Sequence, residues 1–297
     1  MEPGLARDAL TLVLGFATGV LSALFGVGGA IVSNPGLRAL GAEPLVAVGT
    51  TLPSILPGAI TGTLRYRREG LIDWRLITPA AAAGLLAVVA GALLSHAVPG
   101  GGHLLLLLIA VLLAFTAWRT AVTAPSDPDP GDGDPEEGVD SREPPSPASD
   151  TLPHRGASDH EAGFPGATGL SRTRWVAAGI GVVAGLLSGL LGIGGGVIMV
   201  PAFTELLGLP LKSAIATSLV CVGIFGVPAT ITHAVLGDID WRLAALLTIG
   251  VIPGARIGAS LTIRTAERRL RLAVGVFLGL VALVYFVTET RALLEEL

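Results

Sequence analysis

The sequence predicts an all-α polytopic membrane protein made of two homologous helical repeats, each with a Gly-broken first helix or a re-entrant hairpin. Three observations carry this prediction. The 297-residue chain is 51% hydrophobic and 14% charged, with a mean hydropathy of +0.72, and its apolar runs reach the roughly 20 residues that a helix needs to cross a bilayer. A glycine-rich interruption occurs twice, as Gly26-Val27-Gly28-Gly29 and Gly192-Ile193-Gly194-Gly195-Gly196, with Pro35 and Pro201 following. The stretch Ile72-Asp73-Trp74-Arg75-Leu76 returns as Ile239-Asp240-Trp241-Arg242-Leu243 at the same place in the second half, so the chain contains an internal repeat.

In chain order, residues 1–8 form a short polar tail and 9–121 the first repeat. Its first apolar segment, 9–25, ends where the glycines each weaken helical preference by about 1 kcal/mol. Residues 30–40 then span about half the hydrocarbon at roughly 1.5 Å per residue, the length of a half-helix. Residues 45–64 form a full-length but polar span with Thr50, Thr51, Ser54, Thr61 and Thr63, interrupted by Pro53 and Pro57. The prolines free carbonyls, and the hydroxyls either re-satisfy them or face a solute path. Spans at 74–96 and 103–118 complete the repeat. Residues 122–173 are rich in Pro, Gly, Asp, Glu and Ser and read as a disordered acidic linker. The second repeat, 174–290, matches the first with segments at 175–191, 197–207, 211–236, 241–263 and 272–288, and 291–297 is a tail. Trp74 and Trp241 open their spans, as interfacial anchors do.

Composition excludes several functions. The net charge of −4 sits mostly in the linker, so no nucleic acid partner is expected. The single cysteine, Cys221, forms no internal disulfide and reads as a small buried residue. No cleavable signal peptide is evident, because the first apolar segment runs straight into its glycine break. His154 and His160 match no standard metal spacing, and the spans hold neither a nucleophile with a base nor a His/Asp/Glu set. No cofactor, metal or enzymatic activity is expected.

Loop charge gives orientation. The basic residues Arg65, Arg67, Arg68 and Arg75 lie in one loop of the first repeat and the next loop is neutral, whereas the second repeat has an acidic loop at 237–240 and a basic one at 264–271. Corresponding loops thus differ in charge, which favours inverted over parallel repeats. This reading treats each broken segment and its half-helix as a hairpin that does not cross. The linker, Arg119, Arg172 and Arg174 are expected in the cytoplasm.

The paired glycine breaks, the proline after each and the duplicated Asp-Trp-Arg resemble the TauE/SafE family of sulfite exporters and related anion permeases. The resemblance covers residues 9–121 and 174–290 and omits the linker, which is longer than expected of the family. It implies a multi-pass protein of the cell membrane that moves sulfite, organosulfonates or related small anions.

For an anion, two half-helix N-termini supply backbone N–H groups and about half a positive charge each. Gly28, Gly29, Gly194, Gly195 and Gly196 are therefore expected to face the solute, or else to let helices pack closely. Ser22, Ser188 and Asn34 either donate to the anion or satisfy freed carbonyls, and Thr50, Thr51, Thr217 and Ser218 are candidates by matched position. Arg256 lies inside a span, as an anion contact or gate, or as a side chain snorkelling to the interface. His233 ends its span and reads as an interfacial residue able to titrate near neutrality. With Glu43 at a loop and Glu205 on a half-helix, no carboxylate lies deep in a span. A coupling ion, H⁺ or Na⁺, is left open, as is carrier against channel.

Overall fold

The computed structural model describes residues 4–95, 111, 114, 118, 167–192 and 194–295. The span expected at 103–118, apart from three residues, and the linker up to residue 166 lie outside the described residues. Nine helices are described: α1 (Leu5–Phe25), α2 (Ala30–Ala39), α3 (Pro44–Arg68), α4 (Trp74–Ser95), α5 (Ala167–Leu191), α6 (Gly196–Leu206), α7 (Leu211–Leu236), α8 (Trp241–Arg264) and α9 (Glu267–Glu295). Six of them, α1, α3, α4, α5, α7 and α8, are long and apolar enough to cross a membrane. α5 starts earlier than the expected end of the linker at residue 173. Pro165 is the last proline before it.

α3 and α7 stay helical through their prolines, and several of their hydroxyls bond to carbonyls of the same helix. Ser54 donates to Thr51 O at 2.7 Å, Thr61 to Pro57 O at 2.8 Å, Thr230 to Gly226 O at 2.6 Å and Thr232 to Pro228 O at 2.8 Å. These groups serve the backbone, not a solute path.

Asp73 and Asp240, in the duplicated pentapeptide, begin α4 and α8 as caps. Asp240 Oδ1 accepts from the N–H groups of Arg242 (3.0 Å) and Leu243 (3.1 Å), and Asp73 Oδ1 from that of Arg75 (2.9 Å). Trp74 and Trp241 follow the caps and are 53% and 60% exposed, which suits a membrane-boundary anchor and not contact with a buried solute.

The helices associate across the two halves in reciprocal pairs, α1 with α8 and α4 with α5. Both contacts are made by small residues at four-residue spacing. Gly15 lies against Leu247 and Gly19 against Val251, while Gly254 and Gly258 lie against Val20. Gly181, Gly185 and Gly189 lie in the same manner against Ala80, Gly84 and Val88. Lipid tails are as apolar as leucine, so such backbone contact, more than hydrophobic burial, drives the association. Numbering increases together in both pairs, so each pair runs parallel. For α1 and α8 the ends agree: Arg242 Nη2 donates to Asp8 Oδ2 at 2.6 Å, and Thr262 Oγ1 to Leu24 O at 3.0 Å.

α2 folds back on α1, with Gly29 against Thr18 and Ser22 and Gly36 against Leu14. Its N-terminus is thereby held beside the second half of α1 and not at the end of that helix.

Replacing Gly185 by leucine puts a side chain into the Gly84 backbone, and about 1–3 kcal/mol of destabilisation is expected from overpacking. Gly179→Leu on the same helix meets nothing within 4 Å and serves as the control. Thermal unfolding of the purified protein should show a lower midpoint for Gly185→Leu alone; equal midpoints would discount the glycine contact.

Candidate functional site

Both breaks use the left-handed backbone region. Gly26, Gly28 and Gly29 have φ of 70°, 83° and 77°, and Gly192, Gly194 and Gly195 have 63°, 84° and 66°. A side chain there costs roughly 1–2 kcal/mol per residue, which accounts for the clustering of glycine. The first turn of each break closes the preceding helix, with Gly26 N–H donating to Ser22 O at 2.8 Å and Gly192 N–H to Ser188 O at 2.9 Å. The last glycine of each begins a short helix, α2 after Gly29 and α6 after Gly195, and neither has a side-chain cap.

The two breaks lie against each other. A Cβ placed on Gly194 would be 3.4 Å from Gly28 Cα and 3.4 Å from Val27 O, and one on Gly196 would collide with Gly26 O. Every described residue of both breaks is buried. Among the described residues the N–H groups of Gly28, Gly29, Ala30 and Ile31 make no hydrogen bond, and neither do those of Gly194, Gly195 and Val197. Each helix N-terminus carries about half a positive charge. Two of them side by side repel unless something negative lies between.

The side chains around the breaks divide into two groups. One group bonds to backbone. Ser218 Oγ lies 2.9 Å from Gly26 O and 3.0 Å from Ile215 O. Asn34 Nδ2 donates to Leu191 O at 3.2 Å, and Thr51 Oγ1 lies 2.8 Å from Asn34 Oδ1 and 2.8 Å from Ala47 O. Thr50 Oγ1 accepts from Asp240 N–H at 2.9 Å and Thr217 Oγ1 from Asp73 N–H at 3.0 Å. Of the two roles open for Asn34 in the sequence, satisfying a freed carbonyl is the one observed. Thr51, Ser218, Thr50 and Thr217 likewise connect one half to the backbone of the other or hold a residue that does.

The second group has no such bond. Ser188 is fully buried, and its Oγ has no hydrogen-bond partner among the described residues; the same holds for Thr18 Oγ1, in a residue 2% exposed. Ser22, 5% exposed, lies beside Thr18 against Gly29. Thr18 is absent from the sequence-based candidates. Its signal was its position four residues before Ser22, on the same helical face. Its counterpart against Gly195 is Ala184, so the arrangement is not symmetric.

Arg256 is not brought to the breaks. It is exposed on α8 and shares a groove with Arg65 and Arg68 of α3, lined by no residue of either break. His233 is fully buried near the end of α7, with Nδ1 2.8 Å from Asp238 Oδ2 and Nε2 3.4 Å from Gly189 O. The end of α7 packs against α5 just before its break and covers the ring. Among the described residues no group of three or more His, Cys, Asp or Glu side chains could hold a metal ion.

The family described as Sulfite exporter TauE/SafE matches residues 11–285. The chain is 26% identical to the probable membrane transporter protein YunE of Bacillus subtilis over 291 residues, covering 92% of this chain and 94% of that protein. It is also 26% identical to a probable membrane transporter protein of Xylella fastidiosa (85% and 82% covered) and 25% identical to YjnA of Bacillus subtilis (88% and 92% covered). No solved structure matches the chain significantly.

Asn34→Leu leaves the Leu191 carbonyl without its donor and should cost about 1–3 kcal/mol, whereas Ser188→Ala removes a hydroxyl that bonds to nothing and should leave stability unchanged. Thermal melts of the two variants check the division into two groups. Equal destabilisation by both would erase it.

Proposed function

The chain belongs to the sulfite exporter TauE/SafE family and is a membrane transporter, and from that premise we propose that it is a secondary carrier of sulfite, organosulfonates or related small oxyanions, bound where the two broken helices meet. The observation that carries the reading is the meeting itself: two helix N-termini with unbonded N–H groups, beside buried hydroxyls that lack partners.

An oxyanion is stripped of water on entry, and that loss must be offset by donors already in place. The N–H groups of Gly28, Gly29 and Ala30 on one side and Gly194 and Gly195 on the other supply them, with helix ends of favourable sign. Thr18, Ser22 and Ser188 add hydroxyl donors that need no other acceptor. Fixed dipoles hold the anion without a mobile cation in the membrane. Glycine is required because any Cβ at Gly195 or Gly196 would occupy backbone positions of its neighbours. Burial of both breaks favours a carrier with an occluded state over an open channel.

The same proposal takes the two halves as inverted repeats. Its support is the parallel course of α1 with α8 and of α4 with α5, and the common location of the basic ends. Tyr66 OH, near the end of α3, donates to Ala23 O, and Thr262, near the end of α8, donates to Leu24 O, so Arg65, Arg67, Arg68 and Arg264 gather at one face. α5 begins at that face too, beside the start of α4, and the positive-inside rule then supports a cytoplasmic linker. Alternating access then consists of one half rocking against the other around the anion.

The test is efflux from liposomes loaded with sulfite, sulfate, thiosulfate or chloride. Saturable, selective sulfite or sulfonate flux is expected, abolished in Gly195→Leu. Ser188→Ala and Thr18→Val should each weaken half-saturation by about 10-fold or more, the range of roughly 1.5–3 kcal/mol for a hydrogen bond to a charged group. If correctly folded protein moves none of these sulfur anions, the substrate proposal falls.

A further inference from the structure

A second cationic feature lies away from the glycine breaks. A cavity of about 380 Å³ between α3 and α8 is lined by Thr61, Leu64, Arg65, Arg68, Arg256 and Ser260. Three guanidinium groups thus converge on one groove at the face where α3 and α8 end.

Their charge is poorly balanced by the protein. Glu69 lies 3.7 Å from Arg65, and among the described residues Arg68 and Arg256 form no ion pair. Arg65 Nε is buried without a hydrogen-bond partner. The two hydroxyls in the groove are committed to their own helices, with Thr61 donating to Pro57 O at 2.8 Å and Ser260 to Arg256 O at 2.9 Å. The donors left for a ligand are guanidinium N–H groups, whose planar fork matches oxyanions in two-point contacts.

The surroundings indicate which oxyanion. Ile60 and Leu64 of α3 are 50% and 55% exposed, and Ile257 and Leu261 of α8 are 46% and 45% exposed. An apolar, outward-facing surface thus adjoins the cationic groove on the same two helices. A soluble anion makes no use of it, whereas an acyl chain does.

We propose that this groove binds the phosphate of an anionic phospholipid, with Arg65, Arg68 and Arg256 around the phosphate and the acyl chains against α3 and α8. Arg256 then has a role separate from the transported anion. Its position inside a span is stabilised by the lipid phosphate that it reaches at the membrane boundary.

The full chain, purified in detergent and stripped of lipid, is offered phosphatidylglycerol and phosphatidylcholine in equal amounts, and retention is read by native mass spectrometry. At least 10-fold preferential retention of phosphatidylglycerol is expected in the wild type, persisting with millimolar inorganic phosphate or sulfite present. Loss of that preference is expected in Arg65→Gln/Arg68→Gln/Arg256→Gln. Equal retention of both lipids by the wild type overturns the proposal, as does a preference that survives the triple substitution. Displacement of the lipid by free phosphate or sulfite also overturns it and assigns the groove to soluble anions. The wild-type comparison decides the matter by itself if the triple variant does not fold.

Discussion

Inside hydrocarbon an unpaired peptide group is costly unless protein or a water-filled cavity surrounds it, and much of this structure follows from how two interrupted helices meet that constraint. Each interruption frees carbonyls at the end of a long helix. Their donors come largely from elsewhere in sequence: Ser218 reaches Gly26 O, Thr262 reaches Leu24 O, Asn34 reaches Leu191 O. Thr50 and Thr217 meet the complementary need, accepting the N–H groups of Asp240 and Asp73 in the opposite half. The carbonyls are thus neutralised by side chains, while several N–H groups stay free.

Close packing provides the rigidity for this arrangement. The glycines of α1, α5 and α8 allow backbone to lie on backbone in the α1–α8 and α4–α5 pairs. Two stiff pairs result, each containing one long helix from either half. The short helices α2 and α6 are carried between them, so their N-termini are positioned by the pairs and not by their own length.

The architecture was largely legible in the sequence. Helix breaks at Gly26 and Gly192 follow from glycine's conformational freedom, and duplication of the pattern identified them as a matched pair. What linear reading could not supply was facing and distance. Arg256 lies within α8, and the groove it shares with Arg65 and Arg68 depends on how α3 packs against α8. The burial of His233 depends on Gly189 of another helix, which its place in the chain does not show. Thr18 has no polar counterpart, since Ala184 stands at the matching position, and its nearness to Gly29 depends on how α2 folds back on α1. The dual possibilities for Asn34 and Ser188 separated only when Leu191 O was found beside one and no partner beside the other.

The hydrogen bonds that cross between the halves also bear on how the protein is made. α1 to α4 leave the ribosome first, and at that stage Gly26 O, Leu24 O and Asp73 N–H await Ser218, Thr262 and Thr217, which have not been synthesised. Tyr66, by contrast, is already available to Ala23 O. The newly inserted first half is therefore an incomplete membrane body, dependent on water or on insertion machinery at its centre until the second half arrives. Maturation is a joint event: the centre is finished for both halves at once, and neither half alone contains a finished version of it.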